Sequence, residues 1–308
     1  MDITKRPTAR AIVMRRTGPP DVLALEEVDL PPLRPGEVQL RMLSSSINHS
    51  DLEIRVGNWP ILKASPFPYV PGLEVVGEVT RVADDVLTWL PGDRAWTMMQ
   101  GLGGVRAERD GGNADYVTVP ASTLAPLPEK VDPVAWMAFG LVGVTALEGI
   151  RRLGPMTGKN LLVSGVTGGV GAAALQIGKC LGAHVVALDR NSPPPPPNSV
   201  DGVLDAVAGP HFPALVAALR PGGRYCLVGA AAGGKVDFDV WSLLEGRILT
   251  GFSTEDLDGE GLRKATRELL MMELTPPPYT VFPLAEVPHA HHLMESRLIK
   301  GRVIIVPG

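Results

Sequence analysis

The chain has 308 residues, of which 45% are hydrophobic, and its 29 basic residues are nearly balanced by 33 acidic residues. This length can bury one or two hydrophobic cores, so we expect a soluble protein of about two domains. The balanced charge gives no nucleic-acid signature, and only two cysteines are present, which excludes a disulfide framework.

No segment predicts membrane insertion or export. The apolar run Val134–Leu147 is shorter than a membrane span and contains glycines, and the N-terminus MDITKRPTAR lacks the apolar core of a signal peptide. We therefore expect a cytoplasmic protein. Cys180 and Cys226 cannot form the cysteine cluster of a structural zinc site, and we interpret both as small core residues.

The first part of the chain, from Arg10 to about Pro128, predicts a series of β-strands. The strand segments are ARAIVMRR, VLALEEV, EVQLRMLSSSIN, LEVVGEVTRVA and DYVTVP, and the turn signals between them include TGPPD, RPGE and LPGD. This pattern predicts an antiparallel, barrel-like domain.

A second domain begins near Pro133, a residue suited to the first turn of a helix that ends near Gly154. Strands NLLVSG, HVVALDR, DGVLDAV, RYCLVGA and ILTGFS then alternate with helices such as VGAAALQIGKCLGA and FPALVAALRPGG. Such alternation is typical of an α/β fold with a doubly wound parallel sheet and crossover helices. Helix GLRKATRELLMMEL follows, and the tail from Tyr279 returns to strand and helix.

A glycine-rich turn joins the first strand of this second domain to its helix. Gly165, Gly168, Gly169 and Gly171 let the backbone turn tightly and approach a pyrophosphate, which then lies at the positive end of the helix dipole. The next strand ends in Asp189, at the distance where an acidic side chain meets the adenosine ribose. The pattern predicts a dinucleotide site.

The chain also resembles the medium-chain dehydrogenase/reductase superfamily, within it the zinc-free quinone oxidoreductase branch. The similar segments are INHSDLEIRVGNWP, PFPYVPGLEVVGEV, LPGDRAW, GGNADYVTVPA, SGVTGGVGAAALQIGK, LRPGGRYCLVGA and KGRVIIVP. The resemblance implies a GroES-like β-barrel domain (1–127 and 275–308), a Rossmann domain (128–274) and a homodimer.

Zinc-dependent members of that superfamily place metal ligands at positions that here hold other residues. Asn48 and Leu73 stand at two of them, and the third segment, AWMAFGL, has no thiol. A catalytic zinc needs about three protein ligands, so we expect none. We interpret His49 as a polar wall residue and the histidines of HAHH (289–292) as a solvated helix start.

Without a Lewis acid, stabilising an alkoxide is difficult, so the easier reaction is reduction of a quinone or an α,β-unsaturated carbonyl. The resemblance places Asn48 and Asp51 beside the nicotinamide, with Asn48 as a hydrogen-bond donor to the acceptor carbonyl. Some members have a tyrosine where this chain has Glu53, so we expect the proton to come from water or a ribose hydroxyl. Trp59 and Tyr69 either line the acceptor slot or are packed loop aromatics.

We expect the cofactor to be NAD(P)H, with a preference for NADH. Asp189 would accept a hydrogen bond from a free ribose hydroxyl and repel a 2′-phosphate, whereas Arg190 could pair with that phosphate. The phosphate loop comprises Gly165, Thr167, Gly168, Gly169, Val170 and Gly171. Further contacts implied by the resemblance are Thr145, Val207, Ala208, Gly229, Phe252, Ser253 and Lys300.

The run NSPPPPPNS stands where relatives place a helix, an edge strand and a further helix. Because proline supports neither a helix interior nor a sheet ladder, we expect the outermost strand to be missing and the second strand to become an exposed edge. The alternative explanation is that this stretch does not faithfully record the natural chain, because of a deletion or an uncertain sequence assignment.

Three functions stay open: the zinc-free reductase, a metal-free alcohol dehydrogenase, and a non-catalytic nucleotide-binding sensor or scaffold.

Overall fold

The computed structural model describes residues 7–58, 67–193 and 195–308, without the side chain of Val105. The chain divides into two compact units. The first extends to Gly140 and includes Leu257–Lys264 and Pro278–Gly308, and the second comprises Leu141–Asp256 and Ala265–Pro277. The division therefore falls later than the expected boundary at residue 127, and the domain limits stay predictions.

The first unit is built mainly of β-strands. Its strands are β1 (Thr8–Met14), β2 (Leu23–Asp29), β3 (Glu37–Ile47), β4 (Glu74–Val82), β5 (Arg94–Met98), β6 (Tyr116–Pro120), β7 (Ala125–Pro126), β13 (Tyr279–Pro283) and β14 (Arg302–Val306). Strands β1 and β2 pair antiparallel, and the other seven form one sheet in the order β13-β14-β3-β4-β5-β7, with β6 paired to β3. Only β13 and β14 run parallel in this larger sheet.

Strand β14, near the C-terminus, pairs with β3 and so joins the tail to this sheet, in agreement with the domain that the resemblance implies. Val303 of β14 lies opposite Ile47 of β3. Two helices also belong to this unit, α1 (His49–Val56) and α6 (Val287–Glu295). Helix α1 starts directly after β3, so the end of this central strand leads into residues 48–51.

The second unit has the predicted doubly wound parallel sheet. Its strands are β8 (Asn160–Ser164), β9 (His184–Leu188), β10 (Val200–Asp205), β11 (Leu219–Leu227) and β12 (Ile248–Gly251), in the order β12-β11-β10-β8-β9. All four pairings are parallel. The helices α3 (Gly169–Cys180) and α4 (Phe212–Ala218) lie wholly in this unit, whereas α2 (Pro133–Arg152) and α5 (Gly259–Met271) each have residues in both units.

The proline-rich connection leaves β9 at one edge of this sheet, as predicted. Within the described residues no strand pairs with its outer side, and the Val186 side chain is 41% exposed. The connection rejoins the fold where Asn198 N–H and Ser199 N–H donate to Ala217 and Ala218 carbonyls. Strand β9 is therefore the edge of the described sheet on the side where the sequence predicts the adenosine.

By length and composition alone helix α2 could cross a membrane, but 72% of its apolar 18-residue stretch is buried inside the protein. A mostly buried core helix can have the same length and composition.

Helix α2 is interrupted at Gly140, where φ is 14° and ψ is −118°. A Cβ atom at this residue would overlap the Glu74 carboxylate, so glycine permits a close approach to that buried acid.

The two cysteines differ in their surroundings. Cys226 in β11 is buried, as predicted, whereas Cys180 is exposed. The core prediction for Cys180 is therefore wrong. This residue ends α3 and lies outside the buried face formed by Gly171, Ala173, Ala174, Ile177 and Gly178.

Candidate functional site

Five buried polar residues of the first unit form a cluster at the start of α1. They are Ser46 of β3, Asn48 at the N-cap of α1, Asp51 in its first turn, Glu74 at the start of β4 and Arg302 at the start of β14. We call this group the buried cluster. Three separate strands and one helix N-terminus are needed to assemble it.

Arg302 is the cation of the buried cluster. Its Nη2 donates to Glu74 Oε1 at 2.6 Å and to Ser46 Oγ at 3.2 Å, while Nη1 donates to Asn48 Oδ1 at 2.8 Å. The Ser46 hydroxyl donates in turn to the Glu74 carboxylate. The negative charge of Glu74 is therefore neutralised from within the protein, because an unpaired buried charge would be costly.

The Asn48 side chain is fully engaged in this arrangement. Its Nδ2 donates to Ser46 Oγ and to Glu74 Oε1, both at 3.1 Å. A guanidinium can only donate and a carboxylate can only accept, so these partners determine the orientation of the amide. A bond from Asn48 to a substrate carbonyl would require one of these bonds to break, and this role stays a prediction.

Asp51 is buried beside this ion pair. Its Oδ2 accepts a hydrogen bond from the Asn48 backbone N–H at 2.7 Å, whereas Oδ1 has no hydrogen-bond partner. Burial raises the pKa of the Asp51 carboxyl to about 7; the Asn48 N–H opposes this shift and the charge of Glu74 adds to it. A pKa of about 7 would let the Asp51 carboxyl hold a proton near neutral pH.

The predicted substrate-slot residues are only partly described. Trp59 lies outside the described residues. Tyr69 is 2% exposed, and its hydroxyl has no hydrogen-bond partner. Burial, together with the charges of Asp51 and Asp110, raises the pKa of the Tyr69 phenol. His49 is exposed, with Nε2 3.6 Å from Glu53 Oε1.

The HAHH segment begins a helix as predicted, but it is not wholly solvated. His289 and His292 are exposed, whereas His291 is completely buried on the same face of α6 as Val287, four residues earlier. Burial, with a smaller contribution from the Arg55 charge, lowers the pKa of His291 to about 3. The prediction is therefore wrong for His291, because the helical period turns it inward.

The buried cluster does not fit a zinc ion. Asn48 and Leu73 stand at two expected ligand positions, and the Asn48 oxygen already accepts from the Arg302 guanidinium. Zinc prefers thiolate, imidazole and carboxylate ligands. Among the residues that the structure describes, no three His, Cys, Asp or Glu side chains are grouped to hold a metal.

The glycine loop of the second unit does fit a dinucleotide. Gly165 has a φ of +68°. Gly168, which precedes α3, donates a hydrogen bond from its N–H to the Gly165 carbonyl at 2.9 Å. A Cβ atom on Gly171 would lie 2.6 Å from the Gly165 carbonyl carbon and would overlap its oxygen. The close packing of turn and helix therefore requires glycine at position 171.

The outer side of this loop is open. Thr167 and Gly168 are exposed, no side chain caps the N-terminus of α3, and a Cβ on Gly168 would contact only the Gly165 oxygen, at 3.4 Å. Backbone N–H groups at a helix N-terminus attract phosphate. Residues 165–171, including Gly169 and Val170, would hold the pyrophosphate of a bound NAD(P).

Asp189 follows β9, as predicted for a ribose ligand. Its Oδ1 accepts hydrogen bonds from Ser192 Oγ at 2.9 Å and Asn191 N–H at 2.8 Å. These two bonds, that of Ser192 first, lower the pKa of the Asp189 carboxyl. The carboxylate is thus held ionised, and the neighbouring Arg190 side chain is exposed.

The other predicted cofactor residues are more dispersed. The Thr145 hydroxyl donates a hydrogen bond to the Leu141 carbonyl within α2 at 2.7 Å. The Phe252 ring lies under the Arg152 guanidinium, 4.2 Å from the ring centroid. The exposed Ser253 hydroxyl accepts a hydrogen bond from Glu255 N–H. Val207, Ala208 and Gly229 follow the central strands β10 and β11. Lys300 is exposed and belongs to the first unit. Their cofactor contacts stay predictions.

Glu74, Arg302 and Asp205 were missed by the sequence analysis. Glu74 and Arg302 are charged residues at the starts of apolar strands, in LEVVGEV and GRVIIV, and Asp205 ends the apolar strand DGVLD. A charged side chain within such a segment is a signal for a buried partner. The signal does not identify that partner.

Two domain families match the chain. Residues 34–129 match the alcohol dehydrogenase GroES-like domain, and residues 181–305 match the zinc-binding dehydrogenase domain. The first range includes Asn48, Asp51 and Glu74, and the second includes Arg302.

Curated relatives include alcohol dehydrogenases and reductases. An alcohol dehydrogenase of Geobacillus stearothermophilus is 34% identical over 188 residues, and this match spans about half of each chain (54%). A probable quinone oxidoreductase of Schizosaccharomyces pombe is 26% identical over 330 aligned positions, covering 96% of both chains. An acryloyl-coenzyme A reductase of Metallosphaera sedula is 24% identical and covers 91% of this chain and 95% of the relative.

Solved structures share the whole fold. The crystal structure of an NAD-dependent alcohol dehydrogenase superposes with a TM-score of 0.82 at 25% identity, covering 97% of this chain and 100% of that chain.

The alignment of 330 positions with the quinone oxidoreductase of Schizosaccharomyces pombe is longer than the present chain of 308 residues. That relative therefore has residues without a counterpart here.

Proposed function

Because the chain belongs to the medium-chain dehydrogenase/reductase superfamily, we propose that it is a zinc-independent, NAD(P)H-dependent reductase of a quinone or an α,β-unsaturated carbonyl compound. Relatives that match most of the chain are named as a quinone oxidoreductase and an acryloyl-coenzyme A reductase. Both kinds of substrate contain an electron-poor centre that can accept hydride without a metal.

The observation that carries this proposal is the hydrogen bond from Arg302 to Asn48 at 2.8 Å. In zinc-dependent relatives a ligand is expected at position 48, whereas here its side chain is held by a guanidinium and by Glu74. A divalent cation at this place would meet the positive charge of Arg302, so the donor set opposes metal binding.

Bound NAD(P)H would supply a hydride, which is two electrons and one proton, and the reduced acceptor would take one further proton from solution. The glycine loop would hold the phosphates and so orient the dinucleotide. Asp51 can hold a proton near neutral pH inside the first unit, close to where the resemblance expects the nicotinamide. Water or a ribose hydroxyl remains the proposed route of the proton to the product.

NADH is the preferred cofactor in this proposal. The support is the ionised Asp189 carboxylate, whose position is maintained by Asn191 and Ser192. Such a carboxylate would bind a ribose hydroxyl and repel a 2′-phosphate.

The direct test is loss of reduced-nicotinamide absorbance with NADH and, separately, NADPH, with a panel of quinones and enones, before and after a zinc chelator. Oxidation that resists the chelator, faster with NADH, is the expected result. Activity that disappears on chelation and returns with zinc would refute zinc independence. If the protein oxidised an alcohol with NAD⁺ but reduced none of the quinones and enones, the result would favour the alternative function of a metal-free alcohol dehydrogenase.

A non-catalytic nucleotide sensor or scaffold is the second candidate. It is favoured by the exposed edge strand β9, because the strand expected beyond it in relatives would border the adenosine. Under this alternative NADH would bind, as followed by its fluorescence, but no acceptor in the panel would oxidise it.

The expected homodimer is a further part of the proposal. The support is an exposed apolar group next to edge strand β12, where the side chains of Trp241 and Leu244 are 73% and 77% exposed. Surfaces of this kind are common at interfaces between protein subunits. Light scattering should give the dimer mass for the wild type and the monomer mass for Leu244→Lys; a monomeric wild type would refute the dimer.

A further inference from the structure

The carboxylate of Asp205 is completely buried at the end of β10, in the middle of the parallel sheet. It accepts hydrogen bonds from two hydroxyls, Ser164 Oγ at the end of β8 and Tyr225 Oη on β11. Burial and the charge of Asp205 raise the pKa of the Tyr225 phenol, so the phenol remains a neutral donor. Asp205 thus connects three neighbouring strands.

The same carboxylate holds the backbone of the turn that follows β10. Val207 N–H donates to Oδ1 at 2.8 Å, and Ala208 N–H lies 3.2 Å from both carboxylate oxygens. Ala206 N–H donates to Ser164 Oγ at 3.3 Å. Every backbone N–H of residues 206–208 is therefore bound to Asp205 or to its hydroxyl partner.

This turn contains a strained residue. Ala208 has a φ of 54° and a ψ of −140°, a conformation that residues with a side chain rarely adopt. Such strain persists only where surrounding bonds enforce it. The hydrogen bonds from Ala208 to Asp205 supply that constraint.

The turn packs directly on the glycine loop. A Cβ atom on Gly165 would lie 2.6 Å from Val207 Cγ2, so the Val207 side chain covers the first glycine of the loop. On its other side, Val207 accepts a hydrogen bond from Ala232 N–H at 2.8 Å. The turn therefore lies between the segments that follow β8 and β11.

We propose that Asp205 is a positioning residue for the nicotinamide half of the dinucleotide, acting through the turn 206–208. This inference rests on the proposed function. A dinucleotide lies across the point where the strand order reverses, with one half on each side of the first strand. Asp189 lies on the β9 side of β8, so the other half of the ligand would lie over β10 and its turn.

A purely structural role for Asp205 makes a different prediction. A looser sheet would weaken binding of both halves of the ligand, whereas a displaced turn weakens only the half that it supports. The adenosine half alone can be presented as 5′-AMP. The comparison of NADH with 5′-AMP therefore separates the two roles.

The test uses Asp205→Asn with Asp201→Asn as the matched control. Asp201 lies at the opposite end of β10, where it accepts from Asn160 N–H and Arg220 at 2.8 Å. Binding of NADH is measured by fluorescence, binding of 5′-AMP by ligand-observed NMR, and stability by urea unfolding. We expect Asp205→Asn to raise the NADH Kd by about tenfold and leave the 5′-AMP Kd within about twofold, and Asp201→Asn to change neither.

An equal loss of NADH and 5′-AMP affinity in Asp205→Asn, or an unchanged NADH Kd, would overturn the inference while leaving the reductase proposal intact. A wild type that binds no dinucleotide would overturn both. If Asp205→Asn does not fold, Ser164→Ala serves instead, because it removes the acceptor of Ala206 N–H. We expect it to raise the NADH Kd by about threefold, and an unchanged value would again overturn the inference.

Discussion

Arg302 and Glu74 form an ion pair of 2.6 Å in which the side chains are 6% and 0% exposed, respectively. They begin two strands that both contribute to one sheet, and the pair also holds Ser46 and Asn48 in place. The positive charge of Arg302 therefore balances the negative charge of Glu74 inside the buried cluster.

Removing the cation should destabilise the fold strongly. Arg302→Met leaves the Glu74 carboxylate buried without its charged partner, which we expect to lower the free energy of unfolding by about 3–5 kcal/mol. The double variant Arg302→Met/Glu74→Gln should recover most of this loss, because it removes both charges. Urea unfolding of the two single variants and the double variant measures the coupling.

The control for this cycle is Arg10→Met, which breaks the more exposed pair of Arg10 with Asp115 at 2.8 Å. Pairs near the surface contribute little, so its stability should stay close to the wild type. Additive effects of the Arg302 and Glu74 substitutions would contradict the proposed charge balance.

Asp51 should make the protein less stable as the pH rises. Its pKa is raised from 3.8 to about 7 in the folded state, so between these values the folded protein binds more protons than the unfolded chain. The contribution is fully present below pH 3.8 and is lost as the pH approaches 7, with a slope of up to about 1.4 kcal/mol per pH unit.

Asp51→Asn removes this titration. Urea unfolding at several pH values within that window should show the stability of the variant rising relative to the wild type as the pH increases. A stability difference that does not vary with pH would show that Asp51 does not titrate in this range.

His291 should have the opposite pH dependence. Its pKa is lowered from 6.5 to about 3, so the unfolded chain takes up the proton first. Its contribution is present above pH 6.5 and is lost as the pH falls towards 3, again at up to about 1.4 kcal/mol per unit. His291→Gln should reduce the loss of stability on acidification, whereas the exposed His292→Gln should not; equal acid profiles for all three proteins would contradict this.

Two glycines of the phosphate loop should respond differently to alanine. Gly171→Ala places a methyl group against the Gly165 backbone, so we expect a loss of about 1–3 kcal/mol in stability together with loss of dinucleotide binding. Gly168→Ala meets ordinary contact at 3.4 Å and should fold with near wild-type stability. If phosphate rests on this loop, Gly168→Ala should still weaken NADH binding; unchanged affinity would point to a merely structural turn.

Asp189→Ser should improve the use of NADPH, because it removes a negative charge that would repel the 2′-phosphate. We expect the ratio of kcat/KM for NADPH to that for NADH to rise by about tenfold. Ser192→Ala is the control, since it disturbs the same turn but retains the carboxylate. Unchanged preference in Asp189→Ser, or an equal change in Ser192→Ala, would exclude Asp189 as the discriminating charge.

The elements of this fold were predictable because their signals are local. Alternating apolar residues predict β3 and β4, continuous apolar segments predict β8 and β10, and glycines 165–171 predict the turn before α3. The proline run even predicts the edge position of β9, because proline cannot form the missing helix or ladder. Each of these conclusions depends on residues close together in the chain.

The sequence by itself therefore determined the two kinds of domain, the phosphate loop and the acidic residue after β9. Only the tertiary structure decided that Arg302 pairs with Glu74, 228 residues away, that this pair engages the Asn48 amide, that Asp205 holds the turn beside Gly165, and that His291 faces inward. These contacts depend on which strands become neighbours and which helix face is covered. Periodicity and turn chemistry describe a segment, whereas the partner of a buried charge is chosen by packing.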